Sequence, residues 1–345
     1  MLELIKVARI LGVRHLVKLA QAERLGRKIE RGFFMTRVIN ALFNIAFFDE
    51  FSKKDVVYLW DFASEKKIDL PTLETLCEYL YSLRILKRIN EGYALDRNGS
   101  LISFAMRGTF DLIFGYENMM HELEPLLRKE KNYGQEIKRN GAFVAQGSGQ
   151  AAKLLPFPVV ADMILRENYK RPLDLACGNG DFLISLCKQK RTIVGHGVDI
   201  SSEALHEART NIRNHGLEDR IQLYQGDIFD LERMRGSIAN ADVATAFYIL
   251  HEFLWPDSTK AIKFLASFRK FFKSKPLIVC EMMQQQPDIL RKKPSLHLEY
   301  QLLQSLSQQG LAKREGWLAI FKKAGFKKVK ERHLKFAKIG LFQIS

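Results

Sequence analysis

Short apolar runs, each closed by a glycine or an acidic residue, divide the second half of the chain. Residues 171–176, Arg-Pro-Leu-Asp-Leu-Ala, predict a buried strand, and Gly178 and Gly180 follow it in a turn that favours glycine. A helix whose apolar side begins at Phe182 is predicted directly after the turn. The N–H groups of its first turn would point at whatever occupies the turn, which makes this segment a candidate ligand loop.

Two further predicted strands end in an aspartate. Residues 193–199 end in Asp199 and residues 221–227 end in Asp227, whereas residues 242–250 are almost continuously apolar, as is typical of a strand covered on both faces. The separation between the glycine turn and Asp199 suits an acid that binds two ribose hydroxyls. Because ligands of open α/β sheets bind at the carboxyl ends of strands, we expect the glycines and both acids to share one site.

Helical periodicity dominates the first hundred residues. Residues 1–30 place apolar and basic side chains at helical spacing, and residues 33–48 form a strongly apolar helix that another surface must cover. A helix over residues 70–83 is followed by two short strands around residues 90–92, a hairpin signal. The order predicts a winged helix. DNA binding is disfavoured, because the helix at 70–83 carries two glutamates and no basic outward face.

Composition supports a folded protein of more than one domain. The 345 residues are 47% hydrophobic and 11% aromatic, which is enough for a buried core. The four cysteines form no CxxC pair, which argues against a zinc site or a disulfide framework and suits a reducing compartment. Charged side chains interrupt the first twenty residues, so no signal peptide or membrane span is expected there. These features predict a cytoplasmic protein without membrane association.

The positive charge is concentrated at the C-terminal end. Residues 260–345 hold 19 Lys/Arg and 5 Asp/Glu, which accounts for +14 of the net charge of +15. This excess could form a patch for anionic partners, RNA included, or a solvated lysine-rich face. The second interpretation is favoured, because no aromatic-basic RNA motif accompanies the charge.

Residues 174–180, Asp-Leu-Ala-Cys-Gly-Asn-Gly, followed by Asp199 and by Gly226-Asp227, resemble the S-adenosyl-L-methionine site of class I methyltransferases. Ala176 stands where that family usually has its first glycine. The resemblance implies that the loop glycines line the methionine and ribose, that Asp199 binds the ribose hydroxyls, and that Asp227 with Ile228 flanks the adenine. The residues expected to contact this cofactor are Asp174, Ala176, Gly178, Gly180, Asp199, Ile200, Gly226, Asp227, Ile228 and Phe247.

A second resemblance covers the N-terminal part. Residues 34–42 and 73–95 look like the N-terminal dimerisation domain of small-molecule O-methyltransferases, which swaps helices with a partner and closes the back of the substrate pocket. The resemblance implies a homodimer. The glycine-rich residues 133–149 predict a lid or a connecting loop.

The implied fold class is α/β: a Rossmann-like, seven-stranded class I methyltransferase domain preceded by a mostly helical, winged-helix-like dimerisation domain. Two strands within residues 326–344 supply the terminal antiparallel hairpin of that layout. The expected boundaries are residues 1–105 for the dimerisation domain, 106–165 for a helical connector and possible lid, and 166–345 for the cofactor domain.

His251, directly after the fourth predicted strand, is the candidate general base. A histidine with its ordinary pKa near 6.5 is suited to take a proton from a phenol whose pKa is near 10. Residues 249–252, Ile-Leu-His-Glu, resemble the catalytic His-Asp step of the O-methyltransferase family, and Glu281 matches the carboxylate that holds the histidine. Leu311 stands where the family has a second carboxylate.

These observations predict an S-adenosylmethionine-dependent methyltransferase acting on a hydroxyl of a small aromatic or conjugated molecule, within secondary metabolism. Leu311 keeps open methylation of carbon or nitrogen, or another reaction of the sulfonium such as intramolecular cyclisation. An RNA methyltransferase and a non-catalytic, cofactor-binding dimer are the remaining alternatives. A metal site from His251, Glu281 and His297 is not expected, because their spacing is not typical of metal ligands.

Overall fold

The structure is a computed structural model that describes residue 7, residues 9–273 and residues 275–345. The chain forms two compact units, one up to Asp111 and the other from Leu112 to Ser345. The helical spacing predicted for residues 1–30 therefore lies partly outside the described residues. No helix in the described part of the chain is both long enough and apolar enough to cross a membrane.

In the first unit, helices precede and follow a two-stranded hairpin. Its elements are α1 (Val13–Asn44), α2 (Phe47–Glu50), α3 (Leu59–Lys66), α4 (Leu70–Ser82), β1 (Leu86–Ile89), β2 (Gly92–Leu95) and α5 (Arg97–Ala105), and α6 (Arg107–Gly115) continues past its end. Helix α4 begins where the Asp69 side chain accepts a hydrogen bond from the Thr72 N–H at 2.9 Å. Its buried face carries Leu73, Cys77 and Leu80, so the predicted helix and hairpin are both present.

The second unit contains a seven-stranded sheet flanked by helices. Its elements are α7 (Glu117–His121), α8 (Leu123–Leu127), α9 (Gly141–Leu154), α10 (Pro156–Arg166), β3 (Pro172–Leu175), α11 (Asp181–Gln189), β4 (Gly195–Asp199), α12 (Ser202–Asn214), β5 (Ile221–Gln225), α13 (Arg235–Ile238), β6 (Val243–Phe247), α14 (Thr259–Phe272), β7 (Leu277–Met282), α15 (Pro287–Lys292), α16 (His297–Leu306), α17 (Arg314–Lys323), β8 (Val329–Leu334) and β9 (Ile339–Ile344). The strand order is β5-β4-β3-β6-β7-β9-β8.

Strands β3 to β7 are parallel, and β9 runs antiparallel to both of its neighbours, β7 and β8. The order reverses between β3 and β6, because the chain moves outward from β3 to β5 and then returns to pair β6 with β3. Such a switch point opens a crevice at the carboxyl ends of the strands, where ligands bind. The predicted fold class, with its terminal antiparallel hairpin, is confirmed.

The hydrophobic core of this unit lies on both faces of the sheet. One cluster contains Phe264, Phe268, Trp317 and Phe321, and another contains Phe182 and Leu186 with buried residues of α10. Strands covered on both faces read as continuous apolar runs, which explains why the sequence pattern predicts β3 and β6.

Three segments differ from the sequence prediction. The helix expected over residues 33–48 is interrupted, because α1 ends at Asn44 and Ala46 has φ of 59° before α2 begins at Phe47. The strand expected over residues 242–250 ends at Phe247, because Tyr248 has φ of 52° and cannot continue an extended strand. The predicted loop over residues 133–149 becomes helix α9 from Gly141 onward. Its start is fixed by the Asn140 side chain, which accepts hydrogen bonds from the Ala142 and Phe143 N–H groups at 3.1 and 3.3 Å.

Candidate cofactor and catalytic site

The loop between β3 and α11 turns through three residues with left-handed backbone conformations. Ala176, Gly178 and Gly180 have φ of 59°, 53° and 79°. A Cβ atom added to Gly178 would meet nothing within 4 Å, so the main chain there borders open space. The helix α11 begins at Asp181, and the N–H groups of its first turn follow the loop. The loop can therefore bring backbone donors close to a ligand.

Asp199 is fixed against this loop at the end of β4. Its Oδ2 accepts a hydrogen bond from the Gly178 N–H at 2.8 Å, and its Oδ1 accepts one from the Ser201 N–H at 2.9 Å. The main-chain oxygen of Asp199 accepts a bond from the Gly226 N–H at 2.9 Å, which brings the end of β5 to the same place. A carboxylate has about four acceptor sites, so this one retains capacity for hydroxyl donors.

The other residues expected at the cofactor surround these strand ends. Ile200 is 69% exposed, whereas Ile228 is buried. The exposed Asp227 accepts a hydrogen bond from the Phe229 N–H at 2.9 Å, which holds a tight turn after β5. Phe247 packs against Phe157 and Phe182 with ring centroids 4.8 and 4.7 Å apart. An exposed apolar side chain at Ile200 is suited to contact a flat ring.

Asp174 lies buried at the end of β3. It accepts a hydrogen bond from the Thr245 hydroxyl at 2.7 Å. Burial raises its pKa to about 7, partly offset by the Thr245 hydrogen bond, and the nearby Asp199 raises it further. A carboxyl in this environment would gain from the approach of a cation, because a positive charge would stabilise its ionised form.

His251 and Glu281 form a buried pair. Glu281 Oε2 lies 2.9 Å from His251 Nδ1, and both side chains are at most 5% exposed. Glu281 Oε1 also accepts hydrogen bonds from the main-chain N–H groups of Leu250 and His251, at 2.7 and 3.3 Å. Because the carboxylate needs a donor, we assign the ring proton to Nδ1, which leaves the Nε2 lone pair as a base.

A second set of polar contacts holds the main chain around His251. Arg139 Nη2 donates to Glu252 Oε1 at 2.6 Å, and its Nη1 donates to the Tyr116 hydroxyl at 3.3 Å. Tyr116 donates to Gln309 Oε1 at 3.3 Å. Arg139 is 23 residues from Tyr116 and 113 from Glu252, and Tyr116 is 193 residues from Gln309, so no local pattern could have revealed these contacts.

Helix α16 places His297 inside the unit. It is buried, and neither ring nitrogen makes a hydrogen bond of good geometry. Burial lowers its pKa, although the Met283 carbonyl and Gln301 lie close enough to act in the opposite direction. Among the described residues, no three or more His, Cys, Asp or Glu side chains come together in a way that could hold a metal ion.

Two tryptophans and two tyrosines of the second unit have different surroundings. Trp317 is fully buried in the core of the unit, whereas Trp255 is 52% exposed. Burial, followed by the charge of Glu281, raises the pKa of Tyr300 well above its usual value. Burial also raises the pKa of Tyr248, and the neighbouring Cys280 and Tyr300 add to the shift. Tyr300 therefore lies near the His251–Glu281 pair, and Trp317 serves the core.

Comparison with known proteins places this site in context. Residues 167–325 match the family described as a methyltransferase domain. The release factor glutamine methyltransferase of Dictyoglomus turgidum is 37% identical over 68 residues, which are 20% of this chain and 24% of that enzyme. This chain therefore spans about a quarter of that relative's length.

Solved structures share the fold over most of the chain. An O-methyltransferase family protein from Burkholderia thailandensis has a TM-score of 0.66 and 17% identity, covering 94% of this chain and 97% of its own. Human N-acetylserotonin methyltransferase, solved with its S-adenosylmethionine cofactor, has a TM-score of 0.68 and 16% identity over the same shares. The family match identifies residues 167–325 as an S-adenosylmethionine-dependent methyltransferase domain, and the solved structures share its fold.

Proposed function

We propose that this protein transfers a methyl group from S-adenosylmethionine to a hydroxyl of a small aromatic or conjugated molecule, with His251 as the general base. The observation that carries the proposal is the buried His251–Glu281 pair, at the carboxyl end of the sheet of a methyltransferase domain. Two proteins of the same fold support it: human N-acetylserotonin methyltransferase, named for a small-molecule acceptor, and the O-methyltransferase family protein from Burkholderia thailandensis, named for transfer to oxygen. Such acceptors are typical of secondary metabolism.

The residues at the strand ends fit the chemistry of this cofactor. Asp199 offers acceptor sites to the vicinal hydroxyls of a ribose, and its position is fixed by two backbone N–H groups. Asp174, with its raised pKa, would pair with the cofactor ammonium. Ile200 and Ile228 provide apolar surface for the adenine, next to Asp227. The open space at Gly178 allows the main chain to approach the methionine part.

Catalysis would divide between positioning and proton removal. The bound cofactor supplies an electrophilic methyl group. Glu281 holds the Nδ1–H of His251, so that Nε2 takes the acceptor's hydroxyl proton as the oxygen attacks. A positioned base contributes about 10²- to 10⁴-fold, and alignment of the reacting atoms contributes roughly 7–11 kcal/mol.

The experiment that tests this function is mass spectrometry of the cofactor after incubation with purified protein, with and without a small-molecule extract of the source cells. We expect S-adenosylhomocysteine only when extract is present, and a new extract mass shifted by one methyl group. His251→Ala should abolish most of that product at unchanged cofactor affinity. Full activity of His251→Ala would overturn the base assignment.

A second candidate is methylation of carbon or nitrogen, or an intramolecular reaction of the sulfonium. It is favoured by Leu311, a half-buried apolar side chain where the O-methyltransferase resemblance implies a second carboxylate. Methylthioadenosine formed without extract would support the intramolecular reaction. A methylated product whose new methyl is bound to carbon or nitrogen would support the other two.

We also propose that the protein is a cytoplasmic homodimer formed through the first unit. Helix α1 presents exposed apolar side chains, among them Ile29 at 66% and Phe33 at 64%, which a partner would cover. The four cysteines are free thiols and buried, which supports a reducing compartment. No comparison supports a nucleic-acid partner for the basic C-terminal residues.

A further inference from the structure

The turn that carries His251 is held by two sets of contacts from different parts of the second unit. On the side-chain face, Glu281 binds the His251 imidazole and two main-chain N–H groups. On the main-chain face, the His251 carbonyl accepts a hydrogen bond from the Gly310 N–H at 3.1 Å. Gly310 follows Gln309, whose side chain is bound by Tyr116. Tyr116 is bound in turn by Arg139, which also binds Glu252, next to His251.

These contacts close a ring. Starting at Arg139, it runs through Tyr116 to Gln309, along the main chain to Gly310, across to His251, along the main chain to Glu252, and back to Arg139. We propose that this ring is a positioning device for the catalytic base, and that Arg139 and Tyr116 take over the orienting role that a second carboxylate at position 311 would have. The inference rests on the proposed role of His251.

Each hydrogen bond in the ring has a defined direction. Arg139 can only donate, so the Tyr116 oxygen accepts from it and the Tyr116 proton is free to go to Gln309. The Gln309 carbonyl oxygen is used as the acceptor, so the orientation of that amide is fixed as well. A charged donor strengthens the hydrogen bonds that follow it in such a chain.

Burial makes the ring rigid. Tyr116 is 1% exposed and Gln309 is 8% exposed, so neither polar group has an easy alternative partner in water. The side chains of Arg139 and Glu252 are 22% and 31% exposed, and their ion pair is therefore partly shielded from solvent. A Cβ atom on Gly310 would collide with Leu254, so glycine is needed for the loop to come this close to the His251 turn.

Leu311 itself supplies no polar contact toward the histidine. A second carboxylate at position 311 would orient the imidazole of His251. In this protein, contacts that orient the main chain of His251 take its place. This explains how the base could be held with one carboxylate, and why the glutamate after His251 is paired with an arginine from the segment before α9.

The test requires no acceptor. Protein with ¹⁵N-labelled histidine rings is compared by NMR with Tyr116→Phe and Arg139→Met, and the His251 signals are assigned from their loss in His251→Asn. Wild type should show Nδ1 protonated and Nε2 unprotonated, with a slowly exchanging Nδ1–H. Both variants should shift or broaden these signals and speed the Nδ1–H exchange at least severalfold. Arg139→Lys should restore the wild-type signals in part, since lysine reaches Glu252 without the second donor of the fork.

The matched control is Arg220→Met, which removes a half-buried arginine in the same unit. Arg220 donates to the Lys190 and Cys187 carbonyls at 3.2 and 2.9 Å and precedes β5, at the opposite end of the strands from His251. It should leave the His251 signals unchanged. Wild-type His251 signals in folded Tyr116→Phe and Arg139→Met would overturn the ring as a positioning device.

Failure of the proposed function would be seen in a different measurement from failure of the ring. It would appear as absence of S-adenosylhomocysteine in the mass-spectrometric assay. With any acceptor that the assay identifies, Tyr116→Phe and Arg139→Met should lower kcat by about 10- to 100-fold, because small misplacements of a catalytic group have effects of that size. Their KM for S-adenosylmethionine should stay at the wild-type value.

Discussion

At the scale of single residues, the second unit buries a carboxyl group whose hydrogen-bond partner carries no positive charge. Asp174 is 3% exposed, and its hydrogen-bond partner is the neutral hydroxyl of Thr245. Natural proteins keep such groups mainly where a ligand uses them, because an unpaired buried charge is costly. In the proposed function, the cofactor ammonium is the missing partner.

The cost of burying this charge predicts that the difference in unfolding free energy between Asp174→Asn and wild type depends on pH. The pKa of Asp174 is about 7 in the folded protein and 3.8 when unperturbed. Well below pH 3.8 the carboxyl is protonated in both states, and as the pH rises from 3.8 to about 7 the unfolded chain loses its proton first, so the free energy of unfolding declines. Asparagine has no such loss. At pH 8 the variant should be more stable than wild type by about 1–4 kcal/mol, and at pH 4 nearly equal to it.

Urea unfolding of the cofactor-free protein at pH 4, 6 and 8 measures the effect. The variant should also bind S-adenosylmethionine more weakly, which separates its gain in stability from its loss of function. A difference in unfolding free energy that stays constant across this pH range would mean that Asp174 does not titrate as described.

Asp199 allows a direct test of ribose binding. Asp199→Ala should weaken S-adenosylmethionine binding by about 10- to 100-fold, as expected for the loss of a charged hydrogen-bond partner worth about 1.5–3 kcal/mol. Isothermal titration calorimetry gives the affinity. Asp230→Ala is the control, since Asp230 pairs with Arg233 at 2.8 Å on the surface and should leave affinity unchanged. Equal affinity of Asp199→Ala and wild type would refute the ribose assignment.

At the scale of elements, the important feature is the end of β6. The strand stops where Tyr248 takes a positive φ, and the chain then forms a short 3₁₀ turn over Leu250–Phe253. Glu281, from the neighbouring strand β7, caps this turn through two N–H groups. One carboxylate thus fixes both the turn and the tautomer of the histidine within it.

Glu281→Gln separates these two tasks. The amide oxygen can still accept from the main-chain N–H groups, but its NH₂ group would face Nδ1 and favour the tautomer with the proton on Nε2. The base would then be blocked, and kcat should fall by about 10²- to 10⁴-fold while affinity for S-adenosylmethionine is preserved. Steady-state kinetics with an identified acceptor and calorimetry with the cofactor measure the two effects. Unchanged kcat would show that His251 needs no fixed tautomer.

The sequence pattern predicts the glycine loop after β3 and the acid at the end of β4, because these signals are local. Two glycines after an apolar run, and an acid at the end of the next run, lie within a few tens of residues and share one edge of the sheet. The pairing of Glu281 with His251 was implied by the resemblance to the O-methyltransferase family. Arg139, Tyr116 and Gln309 were not found, because their contacts depend on tertiary packing between distant segments.

Local signals also gave errors. The glycines of residues 141–149 suggested a loop, but the Asn140 cap and the packing of α9 against α10 outweigh their low helix propensity. The apolar run to Leu250 suggested a longer strand, whereas its last residues lie in a turn, where Tyr248 and Ile249 are half-buried and Leu250 is buried. Burial explains the apolar composition in both structures, so the pattern alone could not distinguish them.

At the scale of the whole molecule, the basic residues of the C-terminal end are partly balanced by local pairs. Arg314 binds Glu331 through two hydrogen bonds of 2.7 and 2.8 Å, and Lys330 pairs with Glu167 at 3.0 Å. These exposed pairs contribute little to stability, but they fit a solvated surface. The apolar surface of the first unit is the feature that calls for a partner.

Helix α1 carries exposed apolar side chains along one row. Leu25, Ile29 and Phe33 follow one another at intervals of four residues, which keeps them within about 80° around the helix axis, and they are 60%, 66% and 64% exposed. A row of this kind packs into the groove of another helix, and leaving it in water favours association. We therefore expect the 39.8-kDa chain to be a dimer in solution.

The combined variant Ile29→Glu/Phe33→Glu should be a monomer at concentrations where wild type is a dimer, because two charges in the row would lose their hydration on association. Light scattering after size-exclusion chromatography gives the mass. Leu127→Glu is the matched control, since Leu127 is 81% exposed in the second unit and should leave the dimer intact. A wild-type monomer, or a dimer that survives the double substitution, would remove α1 as the interface. If wild type is a monomer, the proposed active site must be complete within one chain.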